Sequence, residues 1–299
     1  WNNKGIWITT GGSTEIVAHS GQPAPGTSDG VHFGWLGWSD RAALNASGQV
    51  AFSATLEGNG IDESNNWSLW VGKVGAISEI VRTSEPAPGF APGALFSNLE
   101  DPVINAGGKI AFSGRVTGEG EGLPNFHGIW SNGFGPLALV ARAGEQAPGA
   151  PEGAVFLGFD FPHLVLNSAG ETAFRMKVGV PNDIYGTRGG IWAQDRTGQL
   201  RLVALEGTEL EVAPGELRMI ETLDFVCCTG SDEGHFNAFN ANGQLAFRAE
   251  FTNGSEGIFV SSIAAMPEPA SAVLYLIAAA ALLADFRWIG GSEGHSTFS

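Results

Sequence analysis

Cysteine and positive charge are both scarce in this chain of 299 residues. The two cysteines, Cys227 and Cys228, are adjacent, so they cannot form an ordinary disulfide framework. A strained vicinal ring or two free thiols remain, and neither identifies the compartment. Lysine and arginine number 15 against 31 aspartates and glutamates, which gives a formal net charge of −16. Such a surface repels phosphate backbones, so nucleic acid is not an expected partner.

Signatures of the common catalytic and cofactor sites are missing too. The chain has no HExxH, no P-loop, no EF-hand loop and no paired CxxC. Residues 290–294 spell GxSxG, but no strand or helix pattern surrounds them. A metal site drawn from the two cysteines, Asp224 and His235 lacks a second Cys or His pair at ligand spacing. We therefore expect no catalytic residue, no metal and no cofactor, and predict that the protein is not an enzyme.

What the chain does contain is the motif Asn-x-x-Gly-x-x-Ala-Phe, which occurs four times. The steps between the copies are 60, 62 and 73 residues, and a recurring step of this size indicates a tandem structural repeat. Glycine takes positive φ freely and asparagine caps or tolerates a tight turn, so the motif predicts a turn that leads into a strand. The predicted structural residues are Asn45, Gly48, Phe52, Asn105, Gly108, Phe112, Asn167, Gly170, Phe174, Asn240, Gly243 and Phe247.

Further landmarks keep one order in every repeat. A Gly/Ser-Ile/Leu-aromatic triplet is followed by an apolar pair, an Ala-Pro-Gly turn signal and an aromatic-rich stretch. The triplets begin at Gly5, Ser68, Gly128, Gly190 and Gly257, and the turns at Ala24, Ala87, Ala147 and Ala213.

Alternation of side chains predicts the fold class. After the first motif glycine, Val50, Phe52 and Ala54 alternate with Ala51 and Ser53, a period of two that is typical of a half-buried strand. Helical periodicity is absent before residue 270. We predict an all-β array of four repeats, each of about 60 residues and four strands, plus a partial one. The strand number favours a β-propeller over an open β-solenoid, with the triplet aromatic packed between neighbouring blades.

The N-terminus has the pattern of a repeat's end. Trp1–Trp7 matches the later Thr252–Phe259, and neither an initiator methionine nor a signal-peptide pattern is present. We interpret the chain as truncated, with its own start and further blades lost.

The C-terminus combines Pro267-Glu268-Pro269, an apolar run over 272–284 and Arg287. Thirteen apolar residues are short for a membrane span, which needs about 20. The stretch resembles the PEP-CTERM sorting signal, although that family has several basic residues where Arg287 stands alone and lacks the extra residues 288–299. The resemblance implies transient contact with an exosortase at the inner membrane of a Gram-negative bacterium that makes exopolysaccharide. The predicted divisions are a repeat domain (1–262), a linker (263–269), a hydrophobic sorting or anchor helix (270–289) and a disordered tail (290–299).

The repeats resemble a tandem NxxGxxAF-repeat family of exported bacterial proteins with varied C-terminal anchors. This resemblance covers about residues 1–262 and implies export and surface anchoring, with no catalytic residue to carry over. We expect a cell-surface or extracellular-matrix protein, membrane-associated during sorting. Its repeat domain would be a binding or structural module for exopolysaccharide or other surface proteins.

Two other hypotheses stay open. A purely structural matrix protein is the first. The second is a glycan-active enzyme that uses carboxylates at one rim, because acidic residues recur loosely before each motif. Trp35 and Trp38 could form a stacking platform for a sugar, although burial between blades is the simpler interpretation. The candidate carboxylates are Asp40, Asp101, Asp160 and Asp224.

Overall fold

The computed structural model describes residues 4–37, 42–118, 127–157, 163–179, 186–226 and 238–263, and the regular elements in these ranges are β-strands. The strands pair antiparallel and form five sheets in chain order, here numbered I to V. The all-β prediction is therefore confirmed. The predicted helix over 270–289 lies outside the described residues.

The strand bounds are as follows. Sheet I holds β1 (Gly5–Thr10) and β2 (Ser13–His19). Sheet II holds β3 (His32–Leu36), β4 (Ala42–Leu44), β5 (Val50–Glu57), β6 (Trp67–Lys73) and β7 (Ala76–Arg82). Sheet III holds β8 (Leu95–Leu99), β9 (Val103–Ile104), β10 (Ile110–Thr117), β11 (His127–Ser131) and β12 (Ala138–Arg142). Sheet IV holds β13 (Val155–Phe156), β14 (His163–Leu166), β15 (Thr172–Gly179), β16 (Thr187–Gln194) and β17 (Leu200–Leu205). Sheet V holds β18 (Glu209–Ala213), β19 (Glu216–Asp224), β20 (Gln244–Phe251) and β21 (Glu256–Ser262).

Each middle sheet draws on two successive sequence repeats. The order in sheet II is β3-β5-β6-β7, and sheets III and IV repeat it. The aromatic-rich and Ala-Phe strands come from one repeat, and the Ile-Trp and Ile-Val strands come from the next. The sequence predicted these four strand types, but it did not predict that the boundary between sheets falls at the Ala-Pro-Gly turn in the first three copies. The fourth turn, Ala213-Pro214-Gly215, is instead a hairpin between β18 and β19 within sheet V. The reason is local: strands joined by short connections pair with each other, and the longer connection at each of the first three turns leads to a new sheet.

A short strand before each motif in sheets II to IV was not predicted. In sheet II, β4 pairs with β5 beside the place where β3 ends, so the edge of the sheet is one broken strand. Leu44 lies opposite Val50, which makes the motif a tight hairpin turn between β4 and β5. The predicted turn role of the motif is confirmed.

Successive sheets pack face to face. In the core between sheets II and III, Phe96, Phe112 and Trp130 of sheet III pack with Leu69 and Val81 of sheet II. The other cores have the same composition: aromatic rings from one sheet and aliphatic side chains from the sheet before it. The predicted packing of the triplet aromatic between consecutive sheets is confirmed for Trp70, Trp130 and Trp192, which are fully buried, but not for Trp7, which is 54% exposed.

The prediction of half-buried strands is wrong for sheets II and III. Ala51 and Ser53, assigned to a polar outer face, are as buried as Phe52, because the next sheet covers that face. The prediction holds in sheet V, where Phe247 is buried and Arg248 is exposed along β20. Small side chains on the second face of β5 allow the close approach of a neighbouring sheet.

The glycine of the triplet makes room for the aromatic ring two residues later. A Cβ on Gly128 would lie 2.6 Å from the ring of Trp130. That ring makes an edge contact with Phe96 at 4.8 Å and stacks on Phe112 at 5.8 Å, and its Nε1 donates to the carbonyl of Pro88 at 2.9 Å. With the ring of Trp130 in this position, the packing requires a glycine at residue 128.

Sheet II has a serine at this position. Ser68 is fully buried, and Trp70 Nε1 donates to its Oγ at 2.7 Å rather than to a proline carbonyl. A polar side chain is tolerated there because it supplies the acceptor that the indole needs.

Candidate functional site

Each motif asparagine organises its own turn. Its Oδ1 accepts the backbone N–H four residues later, at 2.9 Å in the first three repeats and 3.1 Å in the fourth. The motif glycine in each turn has a φ between 72° and 91°, a backbone conformation that residues with a Cβ rarely adopt. The motif phenylalanines are 0–1% exposed and lie in the cores. These are the turn and core roles expected from the sequence.

The asparagines also join the repeats to one another, which the sequence did not predict. Asn45 Nδ2 donates to the carbonyl of Asn105 at 2.9 Å. Asn105 Nδ2 donates to that of Asn167 at 2.8 Å, and Asn167 Nδ2 to that of Asn240 at 2.8 Å. We call this line of contacts the asparagine ladder. Its first three members are 0–3% exposed, whereas Asn240, after which the structure describes no further motif, is exposed.

The residue four positions after each motif asparagine differs between repeats: Gln49, Lys109, Glu171 and Gln244. Glu171 is only 1% exposed, and burial raises the pKa of its carboxyl group, against the opposing effects of the hydrogen bond from Asn167 and the charge of Arg196. Its Oε2 accepts from Asn167 Nδ2 at 2.5 Å. Within the described ranges its Oε1 has no hydrogen-bond partner. The third repeat therefore carries a buried acid at a joint of the ladder.

Two of the four candidate rim carboxylates lie among the described residues, and both contact the preceding sheet. Ser53 Oγ of sheet II donates to Asp101 Oδ1 at 2.8 Å. Asp224 Oδ1 of sheet V lies 2.8 Å from His163 Nδ1 of sheet IV. Each of these two carboxylates therefore makes a contact between neighbouring sheets. Asp40 and Asp160 lie outside the described residues.

The predicted sugar platform is described only in part. Trp35 is half-buried, and the ammonium nitrogen of Lys4 lies 3.6 Å from the centre of its ring. A cation over an aromatic ring at this distance makes a favourable cation–π contact, so Lys4 covers one face of Trp35. Trp38 lies outside the described residues.

Other sequence candidates fall on parts that are not described. These are Cys227, Cys228 and His235, and the sorting residues Pro267, Glu268, Pro269 and Arg287. In the described ranges no group of three or more histidine, cysteine or acidic residues is placed to hold a metal ion. No helix in those ranges is long and apolar enough to cross a membrane.

Comparison with known proteins gives one match to a family. The model of a family of unknown function (DUF7453) matches residues 1–273. Comparison with curated proteins finds no match.

Proposed function

We propose, from the premise that the chain belongs to this family of unknown function (DUF7453), that residues 4–263 act as a non-catalytic binding or structural module of an exported protein. The observation that carries the proposal is the asparagine ladder, which joins all four motif turns. The residues that the chain repeats most faithfully are thereby engaged in joining one repeat to the next. Because the repeated residues hold successive repeats together, the pattern favours a scaffold built from repeats over a single catalytic centre.

We further propose that the five sheets are an arc of a β-propeller. Three features support this: antiparallel sheets of four main strands, one strand order in sheets II to IV, and cores between successive faces. An open β-solenoid is the alternative. Small-angle X-ray scattering distinguishes them, because blades around a common axis give a compact particle and a solenoid gives an elongated rod.

Export and sorting rest on the resemblances in the sequence. We propose that the segment from Pro267 onward directs the chain to an exosortase, after which the repeat domain stays at the cell surface or in the exopolysaccharide matrix. Co-expression with an exosortase should shorten the chain near Pro267–Pro269, as measured by mass spectrometry. Glu268→Ala should prevent this shortening. A chain of unchanged mass in both experiments would contradict the sorting proposal.

Binding is tested by sedimenting exopolysaccharide from a Gram-negative producer with the purified chain. Co-sedimentation above that of an acidic control protein of similar size supports a binding module. If the chain stays in the supernatant, the result favours the purely structural role. New reducing ends that disappear in Asp101→Asn would overturn the non-catalytic assignment in favour of glycan cleavage.

A further inference from the structure

The turns that the asparagine ladder joins lie at one end of the strands, together with the hairpin turns of the same sheets. Val50, which follows the motif turn of sheet II, lies opposite Gly72, which precedes the turn between β6 and β7. Sheets III and IV repeat this pairing. We call these connections the ladder surface, which consists of residues 45–49, 74–75, 105–109, 132–137, 167–171, 195–199 and 240–243.

The connections at the opposite end of the strands are acidic. The described segments there are 20–31, 58–66, 83–94, 143–154, 206–208 and 252–255. These segments contain no lysine or arginine, whereas their acidic residues are Asp29, Asp62, Glu63, Glu85, Glu145, Glu152 and Glu206. The opposite end therefore repels an anionic ligand.

The ladder surface has a different charge. Its two acidic residues are Glu171, which is 1% exposed, and Asp195, whose Oδ2 accepts from Arg201 Nε at 3.0 Å. Its two basic residues are Arg196, which is exposed, and Lys109, which is partly exposed. Since one acid is buried and the other is paired, positive charge dominates the part of this surface that faces solvent.

An exposed aromatic ring lies among the same turns. Phe134, in the turn between β11 and β12, is 50% exposed. A Cβ on Gly198 would lie 3.7 Å from its ring, so this ring of sheet III reaches the hairpin turn of sheet IV that carries Arg196. An aromatic face can pack against the apolar C–H side of a sugar ring. The ladder surface thus brings a cation and a sugar-stacking ring to the same pair of turns.

We infer that the ladder surface binds an acidic polysaccharide, with Lys109 and Arg196 against its carboxylates and Phe134 stacked on a sugar ring. The inference rests on the proposed function as a binding module, and it adds a surface and a ligand class to that proposal. Complementary charge at one end of the strands and like charge at the other orient the polymer toward the ladder surface.

A nucleic acid fits this surface less well. Duplex DNA carries one negative charge per about 1.7 Å of its axis. A chain with a formal net charge of −16 repels so dense a charge. A polyuronate spreads its charge, with a carboxylate on each sugar, and it offers apolar C–H faces to Phe134. DNA is therefore the competing ligand in the test.

Biolayer interferometry on the full chain, with immobilised alginate as the polyuronate, tests the inference. EDTA in the buffer removes divalent cations that could bridge carboxylates of the protein and the polymer. The parent chain should bind alginate and should not bind dextran, a neutral polysaccharide. Lys109→Gln and Arg196→Gln should each weaken binding by about two- to fivefold, the range expected for an exposed charge pair. Phe134→Ser should also weaken binding, because it removes the stacking ring.

Lys177→Gln is the matched control. Lys177 is exposed but lies toward the opposite end of β15, so this variant loses the same charge and should bind alginate like the parent chain. Lys109→Gln introduces the residue that two other repeats have at this position, so the turn tolerates it. Unchanged circular dichroism confirms that the variants are folded.

Binding to dextran or to duplex DNA as tight as the binding to alginate would overturn the inference. Equal losses in Lys109→Gln and Lys177→Gln would also overturn it, because the contact would then follow total charge and not the ladder surface. Tight binding to dextran would leave the proposed binding module standing. A chain that binds neither polysaccharide overturns the inference, and co-sedimentation with exopolysaccharide then decides the proposed function separately.

Discussion

Removing the side chain of Asn105 should cost far more stability than removing that of Asn240, although both residues occupy the same position of the same motif. The two residues make the same kind of turn. They differ in the acceptor of the side-chain N–H: Asn105 Nδ2 donates to the next repeat, whereas among the described residues Asn240 Nδ2 donates to Gln244 of its own turn. Comparing Asn105→Ala with Asn240→Ala therefore measures the contribution of the ladder bond together with the burial of the turn that makes it.

The magnitude follows from the hydrogen bonds. Asn105 accepts from the N–H groups of Gly107 at 3.0 Å and Lys109 at 2.9 Å and donates to Asn167 at 2.8 Å. A buried group left without its partner costs about 1–3 kcal/mol, so we expect Asn105→Ala to lose about 3–5 kcal/mol. Asn240 is exposed and water can replace its bonds, so Asn240→Ala should lose about 0.5–1 kcal/mol.

Urea denaturation followed by tryptophan fluorescence measures both losses. Because repeat arrays can unfold in parts, the comparison requires equal denaturant slopes in the parent chain and both variants. Thermal unfolding gives a second measurement, because each kcal/mol of lost stability should lower the Tm by roughly 2–4 °C in a chain of this size. Equal losses in the two variants would refute the reasoning, since the ladder would then add nothing to the local turn.

Three further predictions follow from single contacts. Burial raises the pKa of Glu171, so the free energy of unfolding of the parent chain should fall as pH rises from the ordinary glutamate range through that raised pKa. Glu171→Gln introduces the residue found at this position in two other repeats. In urea titrations at several pH values, this variant should be as stable as the parent chain below that pH window and more stable above it. Gly128→Ala should lose about 1–3 kcal/mol in thermal melts because its Cβ meets the ring of Trp130. Gly128→Ser should lose at least as much, since it carries the same Cβ and the indole N–H already donates to the carbonyl of Pro88; a smaller loss would show that the ring can reorient toward the hydroxyl, as in sheet II. Asp101→Ala should lose about 0.5–1.5 kcal/mol with the hydrogen bond from Ser53, whereas Asp101→Asn keeps an acceptor and should lose less; a larger loss in Asp101→Asn would show that its negative charge matters more than that bond.

The strands and turns could be predicted because their causes are local. Asn-x-x-Gly and Ala-Pro-Gly mark turns through the backbone preferences of single residues, and alternation marks the strands between them. The burial of Ser53 could not be predicted in this way. A small polar residue on the second face of a strand suits solvent as well as a close neighbour, and Ser53 is stable inside because Asp101 accepts its hydroxyl hydrogen.

The ladder was missed for a different reason. Its acceptors lie 60 to 73 residues from its donors, beyond the reach of local patterns. One signal was nevertheless present, since aspartate would form the same turn as asparagine but has no N–H to donate when ionised. Asparagine in all four copies, with no aspartate, indicates that the donor is needed as well as the acceptor.

The position four residues after the motif asparagine separates what the repeat requires from what each copy is free to vary. Its backbone N–H makes the same bond to the asparagine in all four copies, but its side chain is a neutral amide in Gln49, a basic amine in Lys109 and a carboxylic acid in Glu171. In three copies a side-chain oxygen at this position also accepts from Nδ2 of the asparagine, whereas Lys109 has no such oxygen. The motif therefore constrains the backbone of this position and tolerates a change of charge on its side chain. A property that belongs to one repeat alone must come from such variable positions, because the repeated residues are already engaged in turns, cores and the asparagine ladder. Searches for a ligand should accordingly begin with the residues that differ between the copies.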